Sequence, residues 1–188
     1  MQEQAHSGYS LIELMTVLAV SAILLAVAIP SFGTLIANNR VLTQANELVV
    51  AINTARSEAV RSGRTLALCP KSTPDAASTG CGASSGDWSN GWFIFIDTNG
   101  STAGEFDGAD QALRHWEPPT GRPSHSKDLT GGKPNYFRFT GTGAKEAANE
   151  ETIRMVQSGT SSDQDRCIRV SAMGQVRMHL IAGGLTCP

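Results

Sequence analysis

The chain has 188 residues, with 15 lysines and arginines against 17 aspartates and glutamates, and its formal net charge is −2. This length allows one domain with a sizeable core. The nearly balanced charge excludes an overall basic character, so composition gives no argument for nucleic-acid binding, and there is no acidic tail. Almost all of the 19 glycines lie beyond residue 62, which predicts a loop-rich C-terminal part.

An apolar segment begins close to the N-terminus. In the stretch Leu11–Ile29 the only charged residue is Glu13. At about 1.5 Å of rise per residue, a helix of this length spans the roughly 30 Å hydrocarbon core of a bilayer. A secretory signal peptide matches poorly, because its start is basic and its apolar core is shorter, whereas no Lys or Arg precedes Arg40 here.

The residues after Pro30 become amphipathic, with apolar residues at helical spacing and polar residues between them. The apolar positions are Val41, Ala45, Leu48, Ile52, Ala55 and Ala59. The residues between them include Arg40, Gln44, Glu47, Arg56 and Arg61. This pattern predicts one helix from about Tyr9 to Ser62, bent at Pro30 and ended by Gly63.

Short apolar runs separated by turn residues follow from residue 64. The predicted strands are Thr65–Cys69, Gly91–Asp97, Gln111–Glu117, Tyr136–Thr140 and Thr152–Gln157, with a hairpin over Cys167–Leu180 that turns near Met173–Gly174. No further helical period occurs. We therefore predict an α+β fold, in which the amphipathic half of a long N-terminal helix packs on an antiparallel β domain of two sheets or one strongly curved sheet.

The four cysteines are Cys69, Cys81, Cys167 and Cys187. None forms a C-x-x-C pair, so a zinc ribbon or a redox motif is disfavoured. An even count behind an apolar N-terminal segment suits an oxidising compartment. Of the three possible pairings, chain proximity favours Cys69–Cys81 with Cys167–Cys187, since short loops close most easily. Buried free thiols are the alternative.

The residues Gly8–Leu14 read G-Y-S-L-I-E-L. They resemble the processing and methylation motif of type IV pilins and type II secretion pseudopilins, in which a leader is cut after Gly and the new N-terminal residue is methylated. The resemblance implies cleavage after Gly8, methylation of Tyr9, an assembly role for Glu13 and a helix kink at Pro30. Tyr9 stands where Phe is usual, and the leader lacks the usual basic residues.

Two further stretches resemble the GspH/FimT branch of this family. They are the helix Glu47–Gly63 and the region Gly86–Pro118, where an apolar strand leads into an Asp/Asn/Gly turn. The resemblance implies a leader at 1–8, a transmembrane half-helix at 9–37, an amphipathic half-helix at 38–63 and a periplasmic or extracellular β domain at 64–188.

The function implied is that of a minor pilin, a structural subunit that acts in assembly and priming of a type IV pilus. Its partners would be other major and minor pilins, the prepilin peptidase, the inner-membrane assembly machinery and membrane lipid. It would cross the inner membrane once and then enter the pilus. A minor pseudopilin of type II secretion and a DNA-binding minor pilin for DNA uptake are the alternatives.

Little in the sequence indicates catalysis or a metal site. The histidines His6, His115, His125 and His179 lack ligand spacing, and no nucleotide or nucleophile motif occurs, so we expect neither an enzyme nor a cofactor. An EF-hand loop starting at Asp97 would need Gly and Glu where Thr102 and Gly108 stand. Loose cation binding is the weaker alternative to a solvated turn; its candidate ligands are Asp97, Asn99, Glu105, Asp107 and Asp110.

The DNA alternative depends on a few arginines. Gly174–Arg177 reads G-Q-V-R and resembles the G-R-x-R pattern of DNA-binding FimT-like pilins, with Gln175 in place of the first arginine. Arg166 and Arg169 could join Arg177 in a local patch, and the other basic residues considered are Lys133, Arg138 and Lys145. The opposing interpretation is that these arginines are ordinary solvated side chains of strands.

Overall fold

The structure is a computed structural model that describes residues 9–73, 81, 88–98, 104–117, 124–127, 136–146, 151–157, 165–181 and 187. The chain divides into two compact units between Ile36 and Ala37. One helix, α1 (Leu11–Ser62), runs through 52 residues. It continues through Pro30, and it ends before Gly63, whose φ of 63° is a conformation that glycine adopts at little cost.

Eight strands follow α1 in the described residues. They are β1 (Leu66–Pro70), β2 (Trp92–Ile96), β3 (Gln111–Trp116), β4 (Ser124–Lys127), β5 (Phe137–Phe139), β6 (Glu151–Gln157), β7 (Asp165–Val170) and β8 (Val176–Ile181). Two antiparallel four-stranded sheets result, in the orders β3-β2-β1-β5 and β4-β6-β7-β8. The α+β fold with two sheets is therefore confirmed. Strand β4 was not predicted, because its sequence S-H-S-K has no apolar residue.

The C-terminal half of α1 packs on both sheets through the predicted stripe. The core residues on the helix include Val41, Leu48 and Ile52, and they share one cluster with residues of both sheets. Gln44, one of the polar residues between the stripe positions, is also buried, with 1% of its surface exposed. Helical spacing explains why, since Gln44 lies three residues after Val41 and four before Leu48 and so points to the same face.

The two central strands of the first sheet, β1 and β2, are buried on both of their faces. Leu66 and Ile94 belong to the cluster beneath α1, whereas Ala67, Phe93 and Phe95 belong to a second cluster on the opposite face. Because side chains alternate along a strand, burial of both faces leaves no exposed position, and all five residues of β1 and of β2 are buried. This explains the unbroken apolar run of β2.

Two disulfides close loops in the β domain. Cys69 pairs with Cys81 over 12 residues, with Cα atoms 5.6 Å apart. Cys167 pairs with Cys187 over 20 residues, with Cα atoms 5.8 Å apart. These are the two pairs that chain proximity favours. The described residues contain no free cysteine.

The end of α1 is held against two tight turns. Arg56 Nε donates a hydrogen bond of 2.9 Å to the carbonyl oxygen of Gly143. In the turn between β7 and β8, Gly174 has a φ of 72°, and a Cβ atom there would lie 2.6 Å from that same carbonyl. The close approach of these turns to the helix therefore requires glycine at residue 174.

Candidate functional site

The N-terminal segment starts with a capped helix. The backbone N–H of Glu13 donates to Ser10 Oγ at 3.3 Å, and the N–H of Leu14 donates to the Ser10 carbonyl at 3.2 Å. Ser10 thus occupies the N-cap position and Glu13 the N3 position, and S-x-x-E are the residue types of a capping box, in which a Ser/Thr side chain accepts from N3. The sequence carries the signal for this cap, the pattern S-x-x-E at Ser10–Glu13.

The residues that follow form an apolar surface without a partner in their own unit. Leu11–Ile29 has a mean hydropathy of 2.5 and none of the span is buried, so by length and composition this stretch of α1 is able to cross a membrane. Large apolar side chains are exposed on every side of the helix, among them Ile12, Leu18 and Leu24. An exposed apolar surface of this extent marks a site of contact with lipid or protein.

Glu13 lies on this apolar surface near its start. Together with Tyr9, Leu14 and Val17 it lines an open recess of about 360 Å³. Tyr9, the predicted first residue of the processed chain, is 86% exposed. Gly8 lies outside the described residues, so cleavage after it stays a prediction. Methylation of Tyr9, the assembly role of Glu13 and the bend at Pro30 also stay predictions.

The predicted arginine patch is divided between the two faces of the second sheet. Arg169 and Arg177 are directly opposite each other on β7 and β8. Arg166 precedes Arg169 by three residues, and an odd spacing along a strand places the two side chains on opposite faces. Arg166 shares its face with the core residues Ile168 and Val170. The structure therefore brings Arg169 and Arg177 together and places Arg166 on the other face of the sheet, and DNA binding through these arginines stays a prediction.

Two of the other predicted cations are held in ion pairs. Arg138 Nε binds Asp97 Oδ2 at 2.7 Å, and Arg138 also pairs with Glu146. Burial alone would lower the pKa of Arg138, but the hydrogen bonds and charges of Glu146 and Asp97 outweigh it and raise that pKa. Lys145 is 5% exposed and pairs with Glu151 at 3.2 Å. Neither cation is free to bind phosphate, and Lys133 lies outside the described residues.

The carboxylates of the proposed cation loop are used within the chain. Asp97 Oδ2 accepts from the N–H of Gly104 at 2.9 Å, besides binding Arg138. Asp110 accepts from the N–H of Thr98 at 2.9 Å and from that of Asp107 at 3.0 Å. The described residues contain no group of three possible metal ligands, and Asn99 is outside them. The loop is thus organised by hydrogen bonds from its own backbone, which supports the interpretation as a turn.

The histidines do not form a site in the described residues. The ring of His115 stacks on Phe93, with centroids 5.4 Å apart. Burial, and then the charge of Lys71, lower the pKa of His115, while Glu117 opposes the shift. His179 lies two residues after Arg177 on β8. Because side chains alternate between the two faces of a strand, the two side chains lie on the same face. The side chains of His6 and His125 are not among those described.

Comparison with known proteins points to one family. The family model described as type II transport protein GspH matches residues 44–174, well over half of the chain. The model described as the prokaryotic N-terminal methylation motif matches residues 4–29. No curated protein matches the sequence significantly.

Two solved structures of the type IV minor pilin FimU from Pseudomonas aeruginosa are similar to the chain. The crystal form in space group P21 has a TM-score of 0.56 at 22% identity, and the match covers 75% of this chain and 89% of that one. The form in P65 has a TM-score of 0.52 at 22% identity, with 73% and 91% covered. At this identity the similarity shows a shared fold.

Proposed function

We propose, from the premise that the chain belongs to the GspH family of type IV pilin-like proteins, that it is a minor pilin. It would be cleaved after Gly8, methylated on Tyr9 and inserted into a type IV pilus as a structural, non-enzymatic subunit in assembly and priming. The observation that carries this proposal is the apolar segment Leu11–Ile29, of which no part is buried. It lies within the match to the N-terminal methylation motif and contains one carboxylate.

The segment would have two successive environments. In the inner membrane, its apolar side chains are covered by lipid, and the β domain lies in the periplasm. In the pilus, the same side chains are covered by the apolar segments of other major and minor pilins. A surface that is apolar on all sides suits both environments, because neither offers it a polar side. The prepilin peptidase and the inner-membrane assembly machinery would act on the chain between the two.

Glu13 would select the order of assembly. A carboxylate in lipid costs several kcal/mol unless it is paired or protonated. Cleavage after Gly8 would create an α-amino group on Tyr9, and such a group on a neighbouring subunit would pair with Glu13. This pairing is available only to a processed neighbour, so it would favour insertion next to a mature subunit.

The capping box makes a sharp test possible. Glutamine at N3 is as suitable for a capping box as glutamate, so Glu13→Gln removes the charge while it keeps the helix start. We expect Glu13→Gln to accumulate in the membrane and to be cleaved after Gly8, but to be lost from sheared pili by about tenfold or more, a charge pairing worth at least about 1.4 kcal/mol. Immunoblots of pilus and membrane fractions and intact-mass measurement check this.

The matched control is Glu47→Gln. Glu47 lies on the same helix and is exposed, so its neutralisation should leave assembly unchanged. Normal assembly of Glu13→Gln would show that assembly does not need the charge of Glu13 and would remove the assembly role from the proposal.

The pseudopilin alternative is favoured by the printed description of the family model, a type II transport protein. The same chain would then enter a pseudopilus and serve secretion. Deletion of the gene separates the two: loss of pili with normal secretion supports the minor pilin, and loss of secretion with normal pili supports the pseudopilin.

The DNA-uptake alternative is favoured by the facing pair Arg169 and Arg177. Two arginines at directly facing positions place two positive side chains close together, and phosphate binding depends on the number of cations placed together. The test is a mobility-shift assay with the full chain in detergent at several salt concentrations. A DNA receptor should show salt-sensitive binding that Arg177→Ala abolishes and Arg64→Ala, at an exposed arginine outside the second sheet, preserves. Absence of DNA binding in the unaltered chain would exclude the DNA-uptake alternative.

A further inference from the structure

A groove separates the C-terminal end of α1 from the edge of the first sheet. It has a volume of about 310 Å³, at the lower end of ligand-pocket sizes of roughly 300–1,000 Å³. Its floor is formed by Ile94 and Ile96 of β2, and one wall by Leu113 of β3. Leu113 is 43% exposed. The groove is thus large enough for one or two aliphatic side chains and offers them an apolar floor.

The rim of this groove carries more positive than negative charge. Arg61 and Glu58 of α1 line one side and neutralise each other in a 2.6 Å ion pair. Arg114 lines the other side, and its guanidinium lies 4.7 Å above the ring centroid of Trp116. No carboxylate of a described residue forms an ion pair with Arg114. In a chain with a net charge of −2, this groove therefore presents a local cation that is oriented and that no described carboxylate neutralises.

The strand that forms the wall is an edge strand with a bulge. Among the described strands, β3 pairs with β2 alone, at the edge of the first sheet. The register shifts between Ile94 and Phe95, which face Arg114 and Ala112, so Leu113 is the extra residue of the bulge. A bulge interrupts the regular row of backbone groups and hinders pairing with a long added strand. A short segment that inserts a side chain is the better fit for this edge.

We propose that this groove is a docking site for a short extended segment of a partner protein that carries an aliphatic side chain next to a carboxylate. The aliphatic side chain packs between Leu113 and the floor of the groove, and the carboxylate binds Arg114. Charge complementarity selects this partner, since the apolar floor alone would accept any aliphatic residue. The proposal goes beyond a role as a minor pilin and holds equally for a pseudopilin.

The test uses the full chain in detergent micelles with 13C-labelled Ile and Leu methyl groups, and the capped peptide Thr-Asp-Val-Asp-Thr as the probe. We expect saturable methyl shifts at Ile94, Ile96 and Leu113, with a Kd on the order of 1 mM or below. The peptide Thr-Asn-Val-Asn-Thr should bind about fivefold to tenfold more weakly, because it keeps the shape and loses the charge.

A charge exchange identifies the cation. Arg114→Glu should abolish binding of the aspartate peptide and create binding of Thr-Lys-Val-Lys-Thr, whereas Arg177→Glu, at an exposed arginine of the second sheet, should leave both results as in the unaltered chain. Methyl spectra of each variant show whether it is folded. Equal binding of the aspartate and asparagine peptides, no shifts at about 1 mM peptide, or an equal effect of Arg177→Glu would each overturn the proposal.

Discussion

Between Leu11 and Ile29, helix α1 exposes apolar side chains on all sides, whereas between Val41 and Ala59 it buries them in one stripe. Both halves are helical and rich in aliphatic residues, so aliphatic content alone does not separate them. The difference lies in the polar residues: they cover one side of the second half, whereas the first half has only Thr16 and Ser21 besides its single charged residue, Glu13. The second half therefore carries its own partner in the chain, and the first half requires a partner from outside.

The largest effect on folding is expected from the buried stripe. Leu48 is fully buried, so Leu48→Ala removes apolar contacts and leaves a cavity beneath the sheets. We expect the free energy of unfolding to fall by about 2–5 kcal/mol. Denaturant unfolding of the full chain in detergent measures this, with fluorescence of Trp88 and Trp92, which lie in the same core, as the signal.

The matched variant in the first half is Leu18→Ala. Leu18 is 60% exposed, and in detergent its contacts are with the micelle. The free energy of unfolding should therefore change by less than about 0.5 kcal/mol. Similar losses from both variants would contradict the difference between the two halves.

A smaller effect is expected where the end of α1 meets the turns. In Gly174→Ala, the alanine would have to adopt a φ of 72°, and its Cβ would lie 2.6 Å from the Gly143 carbonyl oxygen. We expect a loss of about 1–3 kcal/mol in the same unfolding measurement.

The control is Gly33→Ala in the first half of the helix. A Cβ there has no neighbour within 4 Å, and alanine favours helix by roughly 0.5–1 kcal/mol over glycine. This variant should not weaken the β domain. A neutral Gly174→Ala would show that the turn and the helix are not in close contact.

The elements that follow simple periodicity could be predicted from the sequence. The stripe of α1 has helical spacing, and the apolar runs gave seven of the eight strands, because burial requires apolar side chains at regular intervals. Strand β4 could not be predicted in this way, since its pairing with β6 is made by backbone groups that any sequence carries.

The candidate sites were predicted less well, for reasons that differ from residue to residue. Arg166 and Arg169 were grouped because they are close in the chain, although their odd spacing in a strand already separates them. Arg138 and Lys145 were counted as cations available to a ligand, and their partners Asp97, Glu146 and Glu151 come from other parts of the chain. Such pairing depends on the tertiary fold.

Gln44 is the counterpart of Glu13 in the second half of the helix, a polar residue within an apolar face. It is 1% exposed, and its side-chain amide forms no hydrogen bond with a described residue. A buried polar group without a partner reduces stability by about 1–3 kcal/mol. Gln44→Met keeps the length of the side chain and removes both polar atoms, so we expect the free energy of unfolding to rise by about 1 kcal/mol.

The same unfolding measurement checks this, with Gln175→Met at an exposed turn position as the control that should have no effect. A loss of stability in Gln44→Met would mean that the amide has a buried partner, such as a water molecule, and that this position is polar by requirement. A gain of stability in Gln44→Met would show that Gln44 and Glu13 differ in the role of their polar groups. Gln44 would then reduce the stability of the chain without any return, whereas the proposed role of Glu13 gives that carboxylate a partner on a neighbouring subunit.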